Sequence, residues 1–203
     1  MSTGATTTVE IDTTLFITVS GPPGCGATTL CERLSDAIGC PYVSGGDIFR
    51  ELAEDRDMSL NQLTAEADAD DEIDRAIDGR LQSIAEKWGT ANKPFILESR
   101  LAGWIAGERA DLRIWLDAPE EVRLERIADR VETEAEMRVR EVSEAGRYES
   151  YYEIDIDERE FYDLQLNTAR WGKEGVFQIV RAALEEYDPD ADTGAFSTPA
   201  LDP

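Results

Sequence analysis

Gly21-Pro22-Pro23-Gly24-Cys25-Gly26-Ala27-Thr28-Thr29 keeps the spacing of a loop that cradles nucleotide phosphates, with one chemical part exchanged. In the pattern G-x-x-x-x-G-K-[ST], backbone N–H groups surround the phosphates, the lysine reaches the outer ones and the hydroxyl holds Mg²⁺. Gly21 and Gly26 hold their places and Thr28 supplies the hydroxyl, but Ala27 stands where the pattern has lysine. The chemistry on offer is phosphate binding, with part of the positive charge to be found elsewhere. Arginine suits that task, because its planar fork grips phosphate through two hydrogen bonds. The basic side of the composition is 17 Arg against only three Lys, at 87, 93 and 173.

Several arginines sit where a phosphate could be met. Arg50 lies one helical turn after Ser44-Gly45-Gly46, and Arg100 follows the apolar run that ends in Glu98. Arg126 and Arg130 share a helix face at i,i+4. Arg138, Arg140 and Arg147 occur in a polar stretch, with Glu144 among them. Glu98, at the end of a buried strand, has the position of an acid that holds Mg²⁺ through water. A buried acid without such a role would be destabilising.

These residues need elements to position them. Leu15–Ser20 is a short apolar, β-branched run that reads as a buried strand, and helical sequence follows from Thr28 to about Ile38. Strand, Gly-rich turn and helix direct N–H groups and the positive end of the helix dipole at one spot. Pro41–Ser44, Phe95–Glu98, Leu112–Leu116 and Tyr162–Asn167 read as further strands. Between them lie a helix starting at Asp47, a capping box at Ser59–Gln62, an amphipathic helix over Asp71–Trp88 and a helix opened by Pro119. A second capping box, Thr133–Glu136, opens a helix to about Tyr152 that is polar almost all round and is therefore expected to be mobile. Val176–Tyr187 is the last helix.

Strands alternating with helices predict an α/β fold of three layers, a five-stranded parallel sheet with helices on both faces. Ligands in such folds bind beyond the carboxyl ends of the strands. The segments 21–29, 44–50, 98–103 and 167–171 all follow strand ends and should converge on one cleft.

The chain has 203 residues, 41% of them hydrophobic, enough for one domain with a core. Its formal charge of −24 argues against nucleic acid as a partner. The acids are spread along the chain, which fits a salt-rich cytoplasm better than a dedicated basic partner. No apolar run approaches a membrane span, and the Thr-rich residues 1–14 do not read as a signal peptide. A cytoplasmic protein is expected, with disordered tails over 1–14 and 188–203. The absence of His removes Ser-His-Asp, Cys-His and H-E-x-x-H chemistry. Cys25, Cys31 and Cys40 form no disulfide framework, and Cys25 reads as a small residue filling a tight loop.

Taken together, Leu15–Gly26, Val43–Arg50, Leu97–Trp104, Tyr152–Ile156 and Asn167–Trp171 resemble the archaeal type of cytidylate kinase, in colinear blocks across residues 15–187. The resemblance implies a P-loop NTPase fold of the nucleoside monophosphate kinase group. It implies transfer of the ATP γ-phosphoryl group to CMP or dCMP with Mg²⁺. A monomer is expected. A mobile NMP-binding region is implied over about 45–88 and a mobile lid over about 129–152. Carried over by motif, Gly21, Pro22, Pro23, Gly24, Cys25, Gly26, Ala27, Thr28 and Thr29 would bind ATP phosphates, with Arg126 and Arg170 on the ATP side. Thr28 and Glu98 would serve the metal. Ser44, Asp47, Arg50, Arg100 and Gly103 would meet the monophosphate. Arg140, Glu144 and Arg147 match the lid pattern R-x-x-x-[ED]-x-x-R and would close on the phosphates in transfer, while Arg130, counted with them as catalytic, would flank the ATP side beside Arg126. Arg80 and Asp78 are the candidates for reading the base. Ala27 leaves open a catalytically weak nucleotide-binding relative or a kinase with another small acceptor.

Overall fold

The computed structural model describes residues 10–127, 134–188 and 191. In chain order the elements are β1 (Phe16–Ser20), α1 (Ala27–Ile38), β2 (Tyr42–Ser44), α2 (Gly45–Asp55), α3 (Leu60–Ala69) and α4 (Glu72–Gly89). There follow β3 (Phe95–Glu98), α5 (Ala102–Ala106), β4 (Leu112–Asp117), α6 (Glu120–Ile127), α7 (Glu134–Tyr152), β5 (Leu164–Asn167) and α8 (Lys173–Glu185). The sheet has five strands in the order β2-β3-β1-β4-β5, every pairing parallel.

The two-residue period of the strands builds two cores, one on each face. Ile17, Val19, Ile96, Ile114 and Leu116 face α1 and α8, meeting Leu30, Leu34 and Val180. Phe16, Phe95, Leu97 and Trp115 face the other way, against Leu63, Leu81 and Trp104. Both faces are covered, which is why the central strands are mostly apolar on both sides. The chain leaves β1 toward β2 on one side and later crosses to β4 on the other. A cleft opens at that reversal, beyond the strands' carboxyl ends.

Local sequence sets the ends of the helices. Ser59 Oγ accepts from Gln62 N at 3.2 Å and Gln62 Oε1 accepts from Ser59 N at 2.8 Å, the reciprocal capping box expected there. α2 begins at Gly45, two residues before the expected Asp47, because Ser44 is its N-cap and accepts from Asp47 N at 3.3 Å. A Cβ on Gly45 would lie 2.9 Å from Ser99 Cβ, so the start of α2 is pressed onto the end of β3. The short helix α5, fully buried, falls in a segment to which the sequence pattern assigned no element.

α7 differs from expectation in its anchoring. It lacks a wide apolar stripe, yet Met137, Arg147 and Tyr148 are buried. Arg147 Nε donates to Asp74 Oδ2 at 2.5 Å and its Nη1 donates to Asp68, tying α7 to α4 and α3. Charge pairing replaces the missing hydrophobic face. The first residue of the second capping box, Thr133, lies outside the described residues, as do most of the two tails and residues 128–133. Gly146 sits within α7 with open space around it. Gly146→Ala is expected to raise the unfolding free energy by about 0.5–1 kcal/mol, read as a shift of the urea midpoint in concentrated KCl.

Candidate nucleotide cleft

The loop after β1 is held rigid from behind. Gly24 has φ +81°, and a Cβ there would lie 2.6 Å from the Arg123 carbonyl oxygen, so only glycine fits the turn. Arg123 is itself buried. Its Nη1 donates to Pro23 O at 3.1 Å and to Glu141 Oε2 at 2.8 Å, and its Nε donates to Ala118 O at 3.0 Å. Arg126 Nη1 donates to Gly24 O at 3.2 Å and to Thr168 Oγ1 at 2.8 Å. Thr168 Oγ1 donates in turn to Cys25 O at 2.8 Å. With its carbonyls bound on the outside, the loop leaves its N–H side and the start of α1 facing the cleft.

Residues 21–30 line a cleft of about 460 Å³ together with Ser44, Arg50, Glu98, Arg100, Arg126, Arg140, Glu144 and Arg147. All four strand-end segments therefore contribute, as expected. Ala27 is in this lining, and the guanidinium-bearing residues around it come from four different elements and loops. Lys173, at the start of α8, lines the same cleft and was not singled out from sequence.

Glu98 ends β3 beside β1 and β2, in register with Val19 and Ser44. Thr28 Oγ1 donates to Glu98 Oε1 at 3.3 Å. Glu98 Oε2 is buried with no hydrogen-bond partner among the described residues. Burial pushes this carboxyl above the usual range, and the hydroxyls of Ser44 and Thr28 pull it back.

The arginines are matched with acids. Arg100 Nε donates to Glu144 Oε2 at 2.8 Å, and Arg140 Nε lies 3.7 Å from the other Glu144 oxygen. One carboxylate on α7 thus bridges two cleft arginines. Arg50 Nη2 pairs with Asp47 Oδ1 at 2.5 Å. Arg147 reaches the cleft wall, but its guanidinium is turned to Asp74, Asp68 and Ser143 rather than held open for a phosphate.

Some expected site residues lie elsewhere. Asp47 is not in the lining and serves as the counter-charge of Arg50. Gly103 is a packing position: a Cβ there would lie 2.9 Å from the Tyr162 ring. Arg80 is exposed and absent from the lining, because it stands two residues, about 200° of helix, from Asp78. Arg170 is exposed outside the cleft, whereas its neighbour Trp171, 48% exposed, lines it. Arg138 pairs with Glu120 away from the cleft. Arg130 lies outside the described residues. Cys25 is buried, and its thiol is pushed up to about 12 by burial, as befits a filler of the loop rather than a reactive group.

Missed from sequence were Arg123 and the acids Asp68 and Asp74. A signal existed for Asp74: it follows Ile73 as Asp78 follows Ile77, four residues on, so both acids border the buried face of α4.

The family model described as an AAA domain matches residues 17–162. The cytidylate kinase of Haloquadratum walsbyi is 49% identical over 187 residues, covering 90% of this chain and 95% of that protein. The cytidylate kinase of Thermococcus sibiricus is 44% identical over 191 residues, covering 91% and 95%. Among solved structures, a gluconokinase from Sinorhizobium meliloti superposes with a TM-score of 0.59 at 14% identity, covering 92% of this chain and all of that one. A shikimate kinase from Bacteroides thetaiotaomicron gives 0.56 at 16% identity, covering 84% and 98%. The structural likenesses show the fold, and the sequence relatives show the lineage: the chain belongs to the cytidylate kinase family.

Proposed function

We propose that the protein transfers the γ-phosphoryl group of ATP to the 5′-phosphate of CMP or dCMP, giving ADP and the nucleoside diphosphate. The observation that carries this reading is the meeting, in one cleft, of the 21–29 loop, the Thr28–Glu98 pair and the arginines Arg50, Arg100 and Arg140. The relatives named cytidylate kinase support the acceptor. ATP phosphates lie against the loop and the start of α1, and the acceptor phosphate lies against Arg50 and Arg100. Transfer is in-line and needs no covalent intermediate, so the residues act by alignment and charge.

Mg²⁺ is implied by this reaction class, and the donors fit it. Thr28 and Glu98 offer hard oxygen ligands, and Glu98 Oε2 is buried and open. When bound, Mg²⁺ would neutralise phosphate charge during transfer. α2 to α4 form the monophosphate-binding region and α7 the described part of the lid. Glu144 gives up Arg100 and Arg140 as phosphates arrive, and lid closure excludes water. The same reading takes the protein as a monomer of a salt-rich cytoplasm.

The test is ADP formation by the purified protein in multimolar KCl, with Mg-ATP and CMP, dCMP, UMP or AMP. Turnover is expected with the cytidine nucleotides. Calorimetric binding of nucleotide without turnover of any acceptor overturns the reading. Ala27→Lys is expected to raise kcat by less than about tenfold, because the cleft already holds several cations, whereas removing a sole preorganised donor costs about 10²–10³. A larger gain would mean that the arginines leave the transferred charge underserved.

A further inference from the structure

The cleft lining includes apolar and aromatic residues that the phosphates do not need. These are Phe49 of α2, Leu60 of α3, Ile77 and Leu81 of α4 and Tyr148 of α7. Apolar and aromatic walls of this kind suit a planar ring. One polar group among them stands out. Asp78 is 7% exposed and lines the cleft. Neither its Oδ2 nor the buried hydroxyl of Tyr152 has a partner in good hydrogen-bond geometry among the described residues, although the hydroxyl lies near enough to act on the carboxyl.

Asp74, one turn earlier on the same helix, shows what a structural acid looks like here: it is matched to Arg147 at 2.5 Å. Asp78 has no such match among the described residues. Burial pushes its carboxyl up to about 7, with the Tyr152 hydroxyl pulling the other way. A buried acceptor left open is destabilising until a donor completes it. No residue of the phosphate machinery provides that donor.

Resting on the monophosphate kinase reading above, we propose that Asp78 is the residue that selects the acceptor base, accepting a hydrogen bond from the exocyclic amino group of cytosine. Cytosine presents an N4 amino donor at the position where uracil presents the acceptor O4. The ionised carboxylate gains a bond with the first and meets lone pairs on the second, so the comparison is made at pH 8, above the value to which burial raises it. A site built to hydrogen-bond one group rejects the analogue that lacks it, because its own polar atom is then left unpaired.

The experiment measures calorimetric affinities of CMP, dCMP and UMP, and separately of ATP, for the native protein and for Asp78→Asn. The Asn side chain is isosteric and can either accept or donate. The expected result is a fall of about 10–100-fold in the preference for CMP over UMP. ATP affinity is unchanged, which reports a folded phosphate site. An unchanged CMP-to-UMP ratio overturns the proposal, including the case in which only the CMP-to-dCMP ratio moves and Asp78 serves the ribose. Steady-state turnover separates the two ideas. A native protein that phosphorylates CMP with its base preference untouched by Asp78→Asn sinks the role of Asp78 alone. A native protein that neither prefers nor phosphorylates CMP sinks both. Should Asp78→Asn fail to fold, as lost ATP binding would show, Asp78→Ser gives the same readout from a smaller side chain.

Discussion

Arg147→Ala is expected to lower the unfolding free energy by about 3–5 kcal/mol, the range found when one partner of a buried ion pair is removed. The guanidinium is 7% exposed and holds Asp74, itself 9% exposed at the side chain, together with Asp68. Without it Asp74 is a buried, unpaired carboxylate at the seam of α4 and α7. Concentrated KCl does little to relieve this, since salt screens surface charges far more than buried ones. Acid does relieve it. Burial already raises the Asp74 carboxyl above its ordinary value while Arg147 pulls it down, so removing Arg147 raises it further. A raised carboxyl means that the folded chain binds the extra proton. The deficit is then full above the folded-state pKa and shrinks as pH falls through it. Urea unfolding of native protein, Arg147→Ala and Arg147→Ala/Asp74→Asn between pH 5 and 8 reads both effects. The double variant should recover much of the loss, and a deficit independent of pH would contradict this account.

Arg100→Ala is expected to reduce kcat/KM for CMP by about 10²–10³, with ATP affinity nearly unchanged. Its side chain is 15% exposed and directed at the cleft, where Glu144 holds Nε at 2.8 Å. Arg100→Lys should recover only part of the loss, because an ammonium keeps the charge but not the planar fork. Steady-state kinetics at saturating Mg-ATP in high salt is the measurement. A loss below tenfold in Arg100→Ala would mean that the acceptor phosphate is gripped elsewhere.

The sheet was legible because its central strands are short, mostly apolar runs closed by turn residues, and Phe95–Glu98 is the case in point. The phosphate loop was legible because its spacing is a backbone requirement, and Gly24 against Arg123 shows the close approach that imposes it. What stayed hidden was which arginine meets which acid. With 20 basic and 44 acidic side chains, sequence offers many pairings, and only tertiary packing selects among them. Arg147 with Asp74 spans 73 positions, and Arg100 with Glu144 spans 44. Nothing local marks either pair. Helical geometry alone, in contrast, could have separated Asp78 from Arg80, since residues two apart point to nearly opposite faces. Gly103 was carried to the site by the family resemblance, and the ring of Tyr162 accounts for it by space.

Glu144, bridging Arg100 and Arg140, makes the resting cleft an ion exchanger with its counter-anion already attached to the chain. A tethered carboxylate stands at an effective concentration fixed by geometry, not by the medium. Free chloride, however abundant in brine, carries one charge and no fork-matched oxygens, so it competes poorly for a guanidinium already held in this way. An incoming anion must displace a carboxylate, not merely water, and a phosphate with two charges and several oxygens is suited to do so. The acidic composition and the arginine-lined cleft then belong to one arrangement: the protein supplies its own anions to guard the places where anions matter.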